Sequence, residues 1–251
     1  MLNALVVVAI IGLFAYYDAL LTVSGLLAPG RGPAIAESLA RRSVRHIFNL
    51  MRHYCGVRLV YENKSGTALP ERFLLIGNHQ SLMDIPVSIA LFPGHSLRFV
   101  AKRELGVFIP FVSHILRFQG HALIRRRGDA AEAMRSIRRF ARRCAQEGTC
   151  PVIFPEGTRS RDGAIGFFHT AGVRKILAET ALPVVVAVYD GAWRVASLPG
   201  LIHGLKGARF RVRVLSVSAP VSAKREVLAA IITARESIRL CLASMATEER
   251  P

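Results

Sequence analysis

Three features of this 251-residue chain predict an α/β fold, a mixed and largely buried sheet flanked by helices, with an N-terminal helical segment suited to membrane attachment. Residues 2–27 are almost wholly apolar, with Asp18 the only charge. Beyond residue 56, short apolar runs alternate with longer stretches of helical period, the pattern of a sheet covered by helices. Half of the chain is apolar (51%) and the mean hydropathy is +0.34, enough to build a core without disulfides. The organisation expected is a hydrophobic and amphipathic segment over residues 1–55 followed by an α/β domain over residues 56–251.

The first segment, as a helix, is long enough to cross a hydrocarbon core of about 30 Å. It fits a cleaved signal poorly, because it has no basic start and no clear small-residue cleavage site. Residues 28–33 (Ala-Pro-Gly-Arg-Gly-Pro) break it, and Arg31, Arg41, Arg42, Arg45 and Arg52 follow, which places that side in the cytoplasm. Asp18 leaves two arrangements open: a span, or a hairpin dipping into one leaflet with residues 34–55 as a second, amphipathic helix.

Strands are expected at 57–61, 73–76, 97–101, 122–124, 151–154, 184–189 and 210–217, and helices at about 84–92, 129–147, 171–180 and 222–246. The formal charge is +17, with 34 basic against 17 acidic residues, which implies an anionic partner. Basic residues cluster at Arg125-Arg126-Arg127 and at Arg135, Arg138, Arg139, Arg142 and Arg143, the latter on one side of a helix. Such a face suits solvent, anionic lipid headgroups or an acidic carrier protein. With one Trp, five Tyr and no recognisable nucleic-acid motif, nucleic acid is not expected. Cys55, Cys144, Cys150 and Cys241 have no metal-ligand spacing and read as free thiols.

Two motifs carry chemistry. In Asn78-His79-Gln80-Ser81-Leu82-Met83-Asp84, a histidine precedes an aspartate by five residues. In a continuous helix such a pair points about 140° apart. Here the apolar strand ends at Gly77-Asn78, and Pro86 suits a first helical turn starting near residues 83–85. The turn between them lets the carboxylate fold back, orient the imidazole and stabilise its protonated form. In Phe154-Pro155-Glu156-Gly157-Thr158-Arg159-Ser160, a strand runs into a glycine-containing turn that presents Arg159, whose planar fork matches phosphate oxygens.

In order, spacing and wording the two motifs resemble those of the 1-acylglycerol-3-phosphate acyltransferase family, over roughly residues 70 to 190. The resemblance implies acyl transfer from acyl-CoA or an acyl carrier protein to the free hydroxyl of 1-acyl-sn-glycerol 3-phosphate, with neither cofactor nor metal. It implies His79 as general base, Asp84 as its partner, and Asn78, Glu156, Gly157, Thr158 and Arg159 as substrate-binding residues. Lys102-Arg103-Glu104-Leu105 is similar to the family's acceptor-binding block, which makes Lys102 and Arg103 further candidates. It also implies an inner-membrane enzyme whose catalytic domain faces the cytoplasm, with membrane lipids and a lysolipid as partners. Two departures bear on the acceptor: Val186 stands where the family has a second proline, and His169-Thr170 follows Phe168 in place of a lysine-rich stretch. Another lysolipid acceptor, or lipid binding without turnover, stays open on those grounds.

Overall fold

Strands whose side chains are buried on both faces determine the architecture. In a computed structural model, which describes residues 2–125, 128–221 and 223–248, the seven expected strands form one sheet. They are β1 (Arg58–Asn63), β2 (Leu74–Gly77), β3 (Leu97–Lys102), β4 (Ala122–Ile124), β5 (Cys150–Ile153), β6 (Val184–Asp190) and β7 (Arg209–Ser218). Their order is β1-β7-β6-β2-β5-β3-β4. The five strands from β6 to β4 are mutually parallel, β7 is antiparallel to β6, and β1 is parallel to β7. The sheet is therefore mixed, with two reversed strands at one edge.

Alternation along β2 splits the core in two. Leu75 packs on one face with Val152, Val185 and Phe210, while Leu74 and Ile76 pack on the other with Ile153, Val184 and Val186. Helices α1 (Leu2–Leu27), α2 (Gly32–Cys55) and α3 (Asp84–Leu91) cover the first face; α6 (Ala130–Glu147), α7 (Thr170–Thr180) and α9 (Lys224–Glu248) cover the second. Helix α6 shows why these segments are helical. Asp129 caps it by accepting the Ala131 N–H at 2.8 Å, and Gly148 ends it in the left-handed conformation. Ile137, Phe140, Ala141 and Cys144 form its buried stripe, while Arg135, Arg138, Arg139 and Arg142 are exposed. Arg142 pairs with Glu179 and Arg143 with Glu147. Arg126 and Arg127 of the other basic run, and residue 222 at the expected start of the last helix, lie outside the described residues.

Helices α4 (Leu105–Phe108), α5 (Val112–Phe118) and α8 (Leu198–Gly204) were not expected. Each has seven residues or fewer, too short to display a helical period. The four cysteines are free.

The N-terminal hairpin belongs to the same packing unit as the sheet. Val6 of α1 and Val44, Ile47, Phe48 and Met51 of α2 enter the first core. Asn3 donates to the carbonyl of Ile202, tying the start of α1 to α8. Asp18, the one charge in α1, accepts the Phe111 N–H at 2.6 Å and lies 2.7 Å from His114 Nδ1. This contact holds Phe111 at a φ of 62°, unusual for a non-glycine residue. The opposite side of α1 is bare, with Leu5, Val8, Ile11, Val23, Leu26 and Leu27 exposed.

Gly77 ends β2 against the fully buried Tyr189, and a Cβ there would sit 2.6 Å from the Tyr189 ring. Gly77→Ala should lower stability by about 1–3 kcal/mol through overpacking. Denaturant titration reads this directly, and an unchanged midpoint would contradict the packing described.

Candidate active site

The turn after β2 brings the first motif together. Asp84 is the first residue of α3 and fully buried, and its Oδ2 accepts three hydrogen bonds. The donors are His79 Nδ1 at 2.7 Å, the Gln80 N–H at 2.7 Å and the Ser81 N–H at 2.8 Å. One carboxylate thus fixes both the imidazole and the backbone that carries it. With Nδ1–H donating to Asp84, the proton is on Nδ1 and Nε2 presents a lone pair. Nε2 has no partner among the described residues, and His79 lines a cleft. The ring is stacked on Phe154 at 4.5 Å, within 8° of parallel.

The second motif closes on the first. Glu156 Oε1 accepts the N–H of His79 at 2.8 Å, and the carbonyl of His79 accepts the N–H of Ser160 at 2.7 Å. Glu156 Oε2 accepts the N–H of Gly166 at 2.7 Å. Both backbone groups of His79 are therefore held by residues about eighty positions away in the chain. Burial pushes the Glu156 carboxyl above its ordinary range, although both N–H donors oppose that shift. Gly157 takes a φ of 64°, the left-handed turn that lets the chain reverse and expose Thr158 and Arg159. Arg159 donates to the carbonyl of Ala196 at 3.3 Å and its side chain lines the cleft.

The cleft has a volume of about 820 Å³. His79, Gly157, Thr158, Arg159, His169 and Lys102 bring polar groups to it. Leu82, Ile85, Val100, Ile124, Met134, Ile137 and Ile153 give it a long apolar wall between β3, β4 and α6. Lys102 is also 3.4 Å from Glu104.

Three of the residues expected to contact substrate are engaged elsewhere in this geometry. Asn78 is buried, and its amide is used on both sides by the backbone of Tyr189, donating to the carbonyl and accepting the N–H at 2.8 Å each. It anchors the end of β2 to β6 through both sides of its amide. Glu156 engages both oxygens with the backbone N–H groups of His79 and Gly166, and so braces the turn that carries the histidine. Arg103 does not line the His79 cleft, because successive residues at the end of β3 point to opposite sides; it lines a second cavity.

Other residues of the site carry no local signal. Gln80 is buried, and its Oε1 accepts the N–H groups of Ala192 and Trp193 at 3.1 and 3.4 Å. The Tyr189 hydroxyl lies 2.7 Å from Ser88 Oγ, and burial raises its pKa beyond the usual phenol range. Among the described residues, no group of three His, Cys, Asp or Glu is arranged to hold a metal ion.

A family model described as Acyltransferase matches residues 58–190. The chain is 35% identical over 135 residues to the 1-acyl-sn-glycerol-3-phosphate acyltransferase of Cocos nucifera, covering 51% of this chain and 41% of that protein. It is 38% identical over 106 residues to the enzyme of the same name from Helicobacter pylori, covering 42% and 43%. The matched stretch thus spans less than half the length of these relatives. The crystal structure of the 1-acyl-sn-glycerophosphate (LPA) acyltransferase PlsC from Thermotoga maritima superimposes with a TM-score of 0.72 at 20% identity. It covers 99% of this chain and 97% of that one, a likeness of fold.

Replacing Glu156 by Gln sets an NH₂ group against one of two N–H donors, an expected loss of about 1–3 kcal/mol. A carboxyl with a raised native pKa favours folding below its unfolded value, and that contribution is lost as pH rises through the native value. The stability gap between the wild type and Glu156→Gln should therefore narrow as pH rises from about 4 towards neutrality. A gap that widens over this range, in unfolding curves at several pH values, would contradict the buried setting of Glu156.

Proposed function

This chain belongs to the acyltransferase family, and on that footing we propose that it transfers a fatty acyl group from a thioester donor to the free hydroxyl of 1-acyl-sn-glycerol 3-phosphate, giving phosphatidic acid. The observation that carries this reading is the 2.7 Å contact of His79 with Asp84 at the head of a cleft that joins an arginine to an apolar wall. Nε2 takes the hydroxyl proton as the acceptor oxygen attacks the thioester carbonyl. The tetrahedral intermediate collapses with cleavage of the C–S bond, and the imidazolium returns its proton to the departing thiolate. Asp84 stabilises the imidazolium between these steps. Arg159 is exposed at the cleft, held by one carbonyl contact, and its fork suits a phosphate monoester. The wall of Leu82, Ile85, Met134 and Ile137 suits an acyl chain. Aligning two bulky amphiphiles there supplies much of the rate.

We also propose that α1 lies along the surface of a bilayer, the bacterial inner membrane, with the catalytic domain on the cytoplasmic side. It has 26 residues with a mean hydropathy of 2.2 in its most apolar window and is bound to the domain at its start, through Asn3, and again along its second half, through Asp18. A helix held along its length in that way, with one apolar side bare, favours the dipping hairpin over a span.

His79→Ala should lower turnover by about 10²–10⁴-fold with the fold intact. A folded variant within a few-fold of wild type would remove His79 as the base. Arg159→Ala should raise KM for the lysolipid far more than for the donor, and Arg159→Lys should restore only part of it. Equal losses on phosphate-bearing and neutral lysolipids would instead assign Arg159 a structural role and favour a different acceptor.

A further inference from the structure

A second cavity of about 340 Å³ adjoins the catalytic cleft, sharing Ile124, Arg125, Asp129 and Ala133 with it. Four arginines from four separate parts of the fold converge on it: Arg103 after β3, Arg117 of α5, Arg125 after β4 and Arg139 of α6. All four are exposed, and none of their guanidinium groups has a side-chain hydrogen bond or ion pair among the described residues. The cavity's two carboxylates do not balance them. Asp129 is already engaged as the cap of α6 and with Arg135, which leaves Glu132. Glu104 interacts with Arg125 alone of the four. Four guanidiniums gathered around one small space repel one another, and a ligand carrying several phosphate charges relieves that repulsion.

Chemistry separates the two substrates of the proposed reaction. In 1-acylglycerol 3-phosphate the phosphate is attached to the carbon next to the one bearing the reacting hydroxyl, so it must bind in the same cleft as His79. In coenzyme A the phosphates are separated from the thioester by the whole pantetheine arm, so they must bind elsewhere. The arginine cavity does not include His79 but opens into the cleft that does. We propose that it binds the diphosphate and 3′-phosphate of a coenzyme A thioester, making acyl-CoA the donor. This rests on the acyl-transfer reading above. Several phosphate groups suit four guanidiniums better than the single phosphodiester of a carrier protein's prosthetic arm.

Arg117→Gln/Arg139→Gln removes two of the charges at exposed positions and keeps side-chain length. Calorimetry with 3′,5′-ADP, a probe that needs no turnover, should show binding to the wild type and a loss of about tenfold or more per guanidinium in the variant. KM for acyl-CoA should rise in parallel, while KM for the lysolipid and turnover of the acyl-N-acetylcysteamine thioester, which lacks phosphates, stay as in wild type. Failure of 3′,5′-ADP to bind wild type overturns the assignment, as does transfer from acyl carrier protein alone. An unchanged KM for acyl-CoA in an active variant overturns it too. A raised lysolipid KM, or weaker sedimentation with phosphatidylglycerol vesicles at unchanged donor KM, gives the cavity to lipid headgroups instead. Absence of transfer from every donor by a wild type that binds 3′,5′-ADP refutes the reaction and not the nucleotide site.

Discussion

The carboxylate of Asp84 is the point on which the turn after β2 depends. A carboxylate removed from water costs several kcal/mol unless donors replace its hydration. Here one oxygen receives an imidazole N–H and two backbone N–H groups, all within 2.8 Å. Charge-assisted bonds of this kind contribute about 1.5–3 kcal/mol each. The same bonds that offset burial also dictate the path of the backbone from β2 into α3. Orientation of the imidazole and formation of the turn are thus one event, and a base that had to search for its partner would lose the benefit of a preset tautomer.

A turn alone would not stay rigid, and the sheet supplies the remaining constraint. β2 lies between β6 and β5, and polar residues just past its end reach to both sides. Asn78 binds the backbone of Tyr189 in β6, Gln80 binds Ala192 and Trp193 beyond it, and His79 is gripped by Glu156 and Ser160 beyond β5. These polar groups sit where parallel strands end and backbone donors would otherwise be orphaned. Asn78, Gln80 and Glu156 are thus part of the framework that holds His79 in place.

Charge and apolar surface are segregated in the same economical way. Asp18 offends the hydropathy of α1 only until it meets Phe111 and His114, after which it locks the helix to α5. The bare side of α1 carries leucine, valine and isoleucine, whereas the arginines of α6 ring the opposite helical layer and the cavity beside the cleft. The apolar side and the basic side thus lie on different layers of the fold, with the cleft between β3, β4 and α6 beside the basic one.

All seven strands, the long helices and the His79–Asp84 pairing were legible in the sequence, because each is set by local pattern: apolar runs, a helical stripe, a capping aspartate, a turn between two residues five apart. The amphipathic character of α2 and the Gly157 turn were legible for the same reason. Tertiary structure decided the rest. The short helices α4, α5 and α8 have too few residues to show a period. The roles of Asn78 and Glu156 depend on backbone groups at residues 189 and 166, and no local pattern reports which distant N–H will lie within 3 Å. The divergence of Lys102 into the His79 cleft and Arg103 into the arginine cavity follows from the alternation of side chains at the end of β3, a direction that neighbouring letters in a motif do not carry.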